Sequence, residues 1–265
     1  ADDAREWYRS YYAPNNATVV VVGDVDPQEV IREAKKYFGP LKPRDIPKIK
    51  PQTEIEQMGP RRVTVKAPAQ LPYFVMGYKV PVVTTAKDEW EPYALEMLAH
   101  VLDGGNSARF TKHLVRGKQI ASSIGAGYDI YSRLADLFIV SGTPSQGNSV
   151  DDLEKAVTEQ IERLKTELVS EEELERIKTQ IVASKVYEKD SVFYQAMQMG
   201  TLETVGLDWR LMDSFVERLR AVTPQQIQAV AKKYLVEERL TVAQLDPQPI
   251  ENGKPAMQHG GGHAH

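Results

Sequence analysis

The chain has 265 residues, a mass of 29.8 kDa and a formal net charge of −4. This length allows one large domain or two ordinary ones, and 42% hydrophobic with 26% charged residues is typical of globular proteins. The acidic balance argues against nucleic-acid binding, which requires a basic surface. No apolar run approaches the roughly 20 residues of a membrane helix. The absence of cysteine excludes disulfides, thiol catalysis and cysteine-bound zinc.

The first 37 residues read as the end of a domain. A helical stretch leads through a Pro-Asn-Asn turn to a predicted strand at residues 18–22. Its continuous apolar run, residues 19–22, is typical of a strand covered on both faces. Asp26, Pro27 and Glu29 then predict a new helix with a capping box. So short a segment cannot bury a core alone. We therefore expect it to be the tail of a first domain whose body precedes Ala1.

Residues 38–60 carry five prolines among charged residues. Such a density of proline forbids helix and disfavours a central strand, so the sequence predicts a semi-rigid linker. Residues 61–247 are then predicted to form a second domain, and residues 248–265 a flexible tail rich in histidine and glycine.

The second domain combines a group of strands with several helices, which predicts an α+β fold. Residues 62–65 alternate in polarity, as in a half-solvated antiparallel strand. The other predicted strands are 73–80, 120–130, 137–141 and 240–245. Helices are predicted at 90–102, which ends at a Gly-Gly pair, and at 150–168, with further helix starts capped by Ser170 and Thr223.

A short internal repeat links the two ends of the chain. Residues 12–27 and 234–247 share one order: an aromatic-ended helix, a polar turn, an apolar strand and an Asp-Pro pair. The repeat suggests that the chain holds the end of one structural copy and most of another.

Histidine offers little catalytic chemistry. His100 and His113 have no partner at a convincing metal-ligand spacing, and the final HGGGHAH lacks the fixed geometry of a catalytic zinc site. The tail can hold a divalent metal transiently, but a disordered terminus is the favoured interpretation. No nucleophile-elbow, phosphate-binding or H-x-x-E-H motif is present.

Two stretches resemble the pitrilysin-like zinc peptidases, which include the insulin-degrading enzymes and mitochondrial processing peptidases. They are WYRSYYAPNNATVVVVGDVDP and LAHVLDGGNSARFTKHLVRGKQIASSIGAGYD. The resemblance implies two similar α+β halves that close like a clamshell around a peptide. Each half has an antiparallel sheet with helices on one face, of the LuxS/metallohydrolase-like type. Zinc is bound in the first half by H-x-x-E-H and a later Glu, which here would precede Ala1, so no cofactor is expected in this chain.

The same resemblance implies candidate site residues. In the family, the second half contributes an Arg and, seven positions later, a Tyr that contact the substrate. Arg116 matches the Arg, but Ser123 stands at the Tyr position. Tyr128 is a possible substitute, although in a regular strand it would face the side opposite Ser123. The alternative is a purely structural role for both residues: Arg116 would only complement a helix dipole, and Ser123 would only fill a strand position.

The sequence therefore predicts the substrate-binding, non-metal half of a zinc metalloendopeptidase, inactive alone. Its expected partners are a zinc-bearing first half or catalytic subunit, and a peptide substrate. A non-catalytic scaffold or binding subunit is the alternative, and a free-standing peptide-binding module is a third reading. The resemblance also implies a periplasmic location.

Overall fold

The computed structural model describes residues 2–50 and 55–250. The chain divides into two compact units, one of Ala1–Glu56 with Thr179–Glu217 and one of Gln57–Lys178 with Arg218–His265. The His-rich tail and part of the predicted linker lie outside the described residues. The domain boundaries drawn from the sequence stay predictions.

The described residues form eight α-helices and five β-strands. None of these helices is both long enough and apolar enough to cross a membrane. The helices are α1 (Asp2–Tyr11), α2 (Pro27–Phe38), α3 (Glu91–Asp103), α4 (Val150–Thr166), α5 (Glu171–Glu188), α6 (Val192–Val205), α7 (Leu211–Arg220) and α8 (Pro224–Tyr234). The strands are β1 (Arg61–Pro68), β2 (Tyr73–Val80), β3 (Ala121–Gly127), β4 (Asp136–Pro144) and β5 (Leu240–Gln248).

The five strands make one sheet in the order β1-β5-β2-β4-β3. β5, β2, β4 and β3 pair antiparallel, which confirms the predicted α+β fold with an antiparallel sheet. β1 departs from the expectation, because it pairs parallel with β5. As the edge strand it is exposed along most of both faces rather than half-solvated.

Helices α3, α4 and α8 pack on one face of this sheet. Phe74, Met76 and Tyr78 of β2 and Phe138 and Val140 of β4 alternate toward that face and are buried. The opposite face keeps apolar side chains that are exposed or half-buried. They are Val63, Val65, Tyr73, Val75, Leu137, Ile139 and Leu245. We refer to these seven residues and the face they occupy as the open face.

The predicted helix caps are present. Thr223 and Gln226 form a reciprocal capping box on α8, and Ser170 Oγ accepts the Glu173 N–H at 3.2 Å. Asp26 caps α2 by accepting the Gln28 N–H at 2.8 Å. The expected capping box at Asp26 is incomplete, because Glu29 turns to Arg32, three residues on, instead of back to the cap.

The predicted strand at residues 18–22 is wrong for this structure. The segment pairs with none of the described strands and makes no backbone hydrogen bond to any described residue. Val19 and Val21 are 61% and 51% exposed, although their sequence is that of a buried strand. A strand requires a neighbour to satisfy its amides and carbonyls, and the part of the chain described here supplies none.

Candidate functional site

Arg116 lies in a π-helical turn, Thr111–Gly117, which contacts β3. The Lys118 N–H donates to the His113 carbonyl five residues earlier at 2.9 Å, and buried Leu114 fixes the turn. π-Helical turns are rare and recur at functional sites. The predicted position near a helix C-terminus is confirmed. The Arg116 side chain is exposed and makes no hydrogen bond or ion pair with any described residue.

Ser123 reaches the open side of the sheet because of a β-bulge. Ala121 pairs with Pro144 and Ser123 with Thr143, so Ser122 is the extra residue between them. Without the bulge Ser123 would share the buried face of Ala121, because residues two apart in a strand point the same way. The Ser122 hydroxyl donates to the Thr143 and Pro144 carbonyls and holds the bulge in place.

Tyr128 lies just past the end of β3, and its hydroxyl is bonded within the protein. Its hydroxyl donates to the Pro81 carbonyl at 2.6 Å. Burial raises the pKa of the Tyr128 phenol well above its usual range, and nearby Glu96 and Asp129 raise it further. The phenol is therefore neutral and already bonded. The structure thus gives Tyr128 the role of a brace between β3 and the end of β2, and does not present it beside Ser123.

The free edge of β3 is partly capped by Asp103, the last residue of α3. Its Oδ2 accepts the Ala126 N–H at 3.2 Å. A Cβ added at Gly125 would lie 3.1 Å from the same oxygen, so the glycine allows this close approach. Burial raises the pKa of the Asp103 carboxyl, opposed by the Ala126 hydrogen bond and by His100.

A groove of about 980 Å³ follows α4, on the helix side of the sheet, and reaches His113. Its charged side chains are largely paired with one another. Arg62 binds Glu154 at 2.6 Å, and Lys118 binds Glu159 at 2.7 Å. Burial and neighbouring Lys112 lower the pKa of His113, so this imidazole is neutral at pH 7. The groove therefore has no surplus charge that would select a ligand.

The residues that the structure describes do not fit a zinc site. Residues 2–50 and 55–250 contain no group of three His, Cys, Asp or Glu side chains placed to share a metal ion. His100 lies 3.5 Å from the Glu96 carboxylate, and no third ligand joins them among the described residues. Structural and catalytic zinc sites both need three or four such ligands, so no step is assigned to a metal in this chain.

Comparison with known proteins gives a family. Residues 1–181 match the family described as "Peptidase M16 inactive domain". The chain belongs to the M16 peptidase family. It is 34% identical over 167 residues to the zinc protease PqqE of Helicobacter pylori, an alignment that covers 62% of this chain and 36% of that protein. The suspected family is thereby confirmed, because the pitrilysin-like zinc peptidases are the M16 peptidases.

Solved structures show the same fold. A protease from Helicobacter pylori superposes with a TM-score of 0.85 at 26% identity, over 93% of this chain and 59% of that one. The periplasmic protease PqqL from Escherichia coli superposes with a TM-score of 0.72 at 15% identity, over 95% of this chain and 29% of that one. The chain thus corresponds to an inactive half of zinc protease-like proteins and spans between about a third and three fifths of the two Helicobacter relatives.

Sequence reasoning missed three features of this region. The π-helical turn and the bulge at Ser122 are one-residue irregularities, which leave no trace in hydrophobic periodicity. Asp103 is missed as well, because the predicted helix stops at residue 102. The following Gly-Gly pair, which does form the C-terminus of α3 with Gly105 at φ +99°, is the signal that could have directed attention to it.

Proposed function

We propose that this chain supplies the substrate-binding, non-metal half of an M16 zinc endopeptidase. Residues 1–37 would be the tail of a zinc-bearing half, and the second half would close on a peptide held between them. The match to the M16 inactive domain supports this reading. Zinc is expected in that other half, whether it precedes Ala1 on the same polypeptide or belongs to a partner subunit.

The observation that carries the proposal is the state of Arg116. An exposed guanidinium without a partner among the described residues can donate to a peptide carbonyl or carboxylate. Its π-helical turn contacts β3, the strand that presents Ser123. One extended peptide that passes the end of β3 would meet both groups. Ser123 would add one short hydrogen bond, and Tyr128 would support the strand through Pro81.

The test is peptide binding by Arg116→Ala. Labelled β-casein, a polypeptide without a stable fold, is titrated with the chain and followed by fluorescence anisotropy. Loss of a charge-assisted hydrogen bond predicts a Kd raised about fivefold to tenfold, equivalent to about 1–1.4 kcal/mol. Arg220→Ala is the matched control, because Arg220 is also exposed in the last turn of a helix. Equal Kd values for the two variants would contradict the assignment.

A scaffold role is the second candidate, and Ser123 favours it. A serine hydroxyl is much shorter than the phenol that the family resemblance implies at this position, so direct assistance to a tetrahedral intermediate is weakened. A natural assembly that binds β-casein through Arg116 but never cleaves it would support the scaffold. Cleavage that depends on zinc would support the peptidase. A periplasmic location is proposed by analogy with PqqL.

A further inference from the structure

Helices border residues 18–22 on two sides without burying Val19 or Val21. On one side α6 lies against the segment, since a Cβ built at Gly200 would be 3.6 Å from Val20 Cγ2. On the other side Val19 and Val21 border a groove of about 600 Å³ whose far wall is α2. Residues 18–22 therefore lie between α6 on one side and α2 on the other. What the described residues lack is a neighbour in the plane of the strand.

The internal repeat identifies what such a neighbour looks like. The offset of 223 residues that takes Tyr11, the end of α1, to Tyr234, the end of α8, also takes one 3₁₀ turn, Pro14–Asn16, to the other, Glu237–Arg239. It corrects the sequence alignment, which began at Tyr12. Residues 18–22 thereby correspond to 241–245 of β5.

β5 lies between two strands in the structure. It pairs parallel with β1, where Val242 is opposite Arg62, and antiparallel with β2, where Val242 is opposite Met76. Val242 is 1% exposed as a result, whereas its equivalent Val19 is 61% exposed. The helix, turn and strand are thus packed in the second copy, whereas residues 18–22 of the first copy form no strand and leave Val19 exposed.

We propose that residues 18–22 are an inner strand of a second sheet, paired parallel on one edge and antiparallel on the other. Both flanking strands belong to the zinc-bearing half and insert between α2 and α6, each presenting apolar residues beside Val19 and Val21. Charged side chains at those positions would be disfavoured, because the two flanking strands would bury Val19 and Val21, which are more than half exposed in this chain. This inference rests on the proposed function, which supplies that half.

One valine and one isoleucine of similar exposure make a direct test. Val19 and Ile49 are 61% and 58% exposed in this chain, but the proposal buries only Val19 in the complete protein. Val19→Lys in the full-length natural protein is expected to lower the Tm by roughly 5 °C or more, because an inner strand position cannot hold a charge. Ile49→Lys should leave it unchanged. In the present chain alone, neither variant should change the Tm.

Amide hydrogen exchange supplies the second measurement. Residues 18–22 should exchange at least about 100-fold more slowly in the natural protein than in this chain, and 241–245 should be slow in both. Fast exchange of 18–22 in a natural protein that still binds zinc and cleaves peptide would overturn the inference and leave the proposed function standing. Slow exchange in this chain alone, together with a dimeric mass, would also overturn it, because a second copy would then be the partner.

Discussion

The two copies of the helix–turn–strand unit differ in their surroundings far more than in their own geometry. In α8, Val230 and Ala231 are fully buried against neighbouring helices. Their equivalents in α1, Trp7 and Tyr8, are 61% and 53% exposed. Both copies nevertheless form the helix and the 3₁₀ turn. Local sequence therefore sets the local backbone, while burial depends on what packs against it.

The sharpest contrast concerns the two tyrosines that end these helices. Tyr234→Ala should destabilise the chain by about 3–5 kcal/mol, because it removes a buried ring and the hydroxyl that donates to buried Glu91 at 2.7 Å. Tyr11→Ala should cost less than about 1 kcal/mol in this chain. Urea unfolding followed by circular dichroism measures both.

Tyr234→Phe keeps the ring and separates the two contributions, with an expected cost of about 1–2 kcal/mol. Similar losses for Tyr234→Ala and Tyr11→Ala would break the comparison, since they would show that α1 is as well packed as α8.

The coupling energies of ion pairs should likewise be larger in the packed part of the chain than on its exposed helices. Arg109 binds Glu173 through two hydrogen bonds, of 3.0 and 2.8 Å, and both side chains are mostly buried. A double-mutant cycle with Arg109→Ala and Glu173→Ala should give a coupling of about 1.5–3 kcal/mol. The pair Arg32 and Glu29 on exposed α2 should give about 0.3 kcal/mol. A coupling for the exposed pair as large as that for the buried pair would contradict this account.

A substitution at the edge of β3 is expected to have the smallest effect on stability. The edge of β3 is capped by Asp103, whereas residues 18–22 have no such cap among the described residues. Because burial raises the pKa of Asp103, the native state takes up its proton at higher pH than the unfolded chain. The carboxylate is therefore a cost at neutral pH that is relieved as pH falls through the native pKa toward 3.8.

Asp103→Asn should accordingly raise stability at pH 7 by about 0.5 kcal/mol, after allowance for solvent screening, and the gain should vanish near pH 4. Thermal unfolding of both proteins from pH 4 to 7 tests this. A gain that grows as the pH falls would show that the sign is wrong. Asp103→Ala, which also removes the acceptor for Ala126, serves as the comparison.

The sequence was sufficient for features that depend on local chemistry. Caps at Ser170 and Thr223, the Gly-Gly helix end and the strand at residues 73–80 all follow from neighbouring residues, and all appear in the structure. The pairing of the strands was harder to predict, because β5, the parallel partner of β1, is distant in sequence. The bulge that turns Ser123 outward adds one residue to β3, and no periodicity rule detects it.

The most direct test of the central claim is the zinc content of this chain beside that of the natural protein, with peptide cleavage measured on the same samples. The chain would carry His259→Ala, His263→Ala and His265→Ala, so that the tail cannot hold metal. The account predicts negligible zinc and no cleavage for the chain, and about one zinc with cleavage for the assembly that includes the other half. Stoichiometric zinc or cleavage by the substituted chain alone would contradict it.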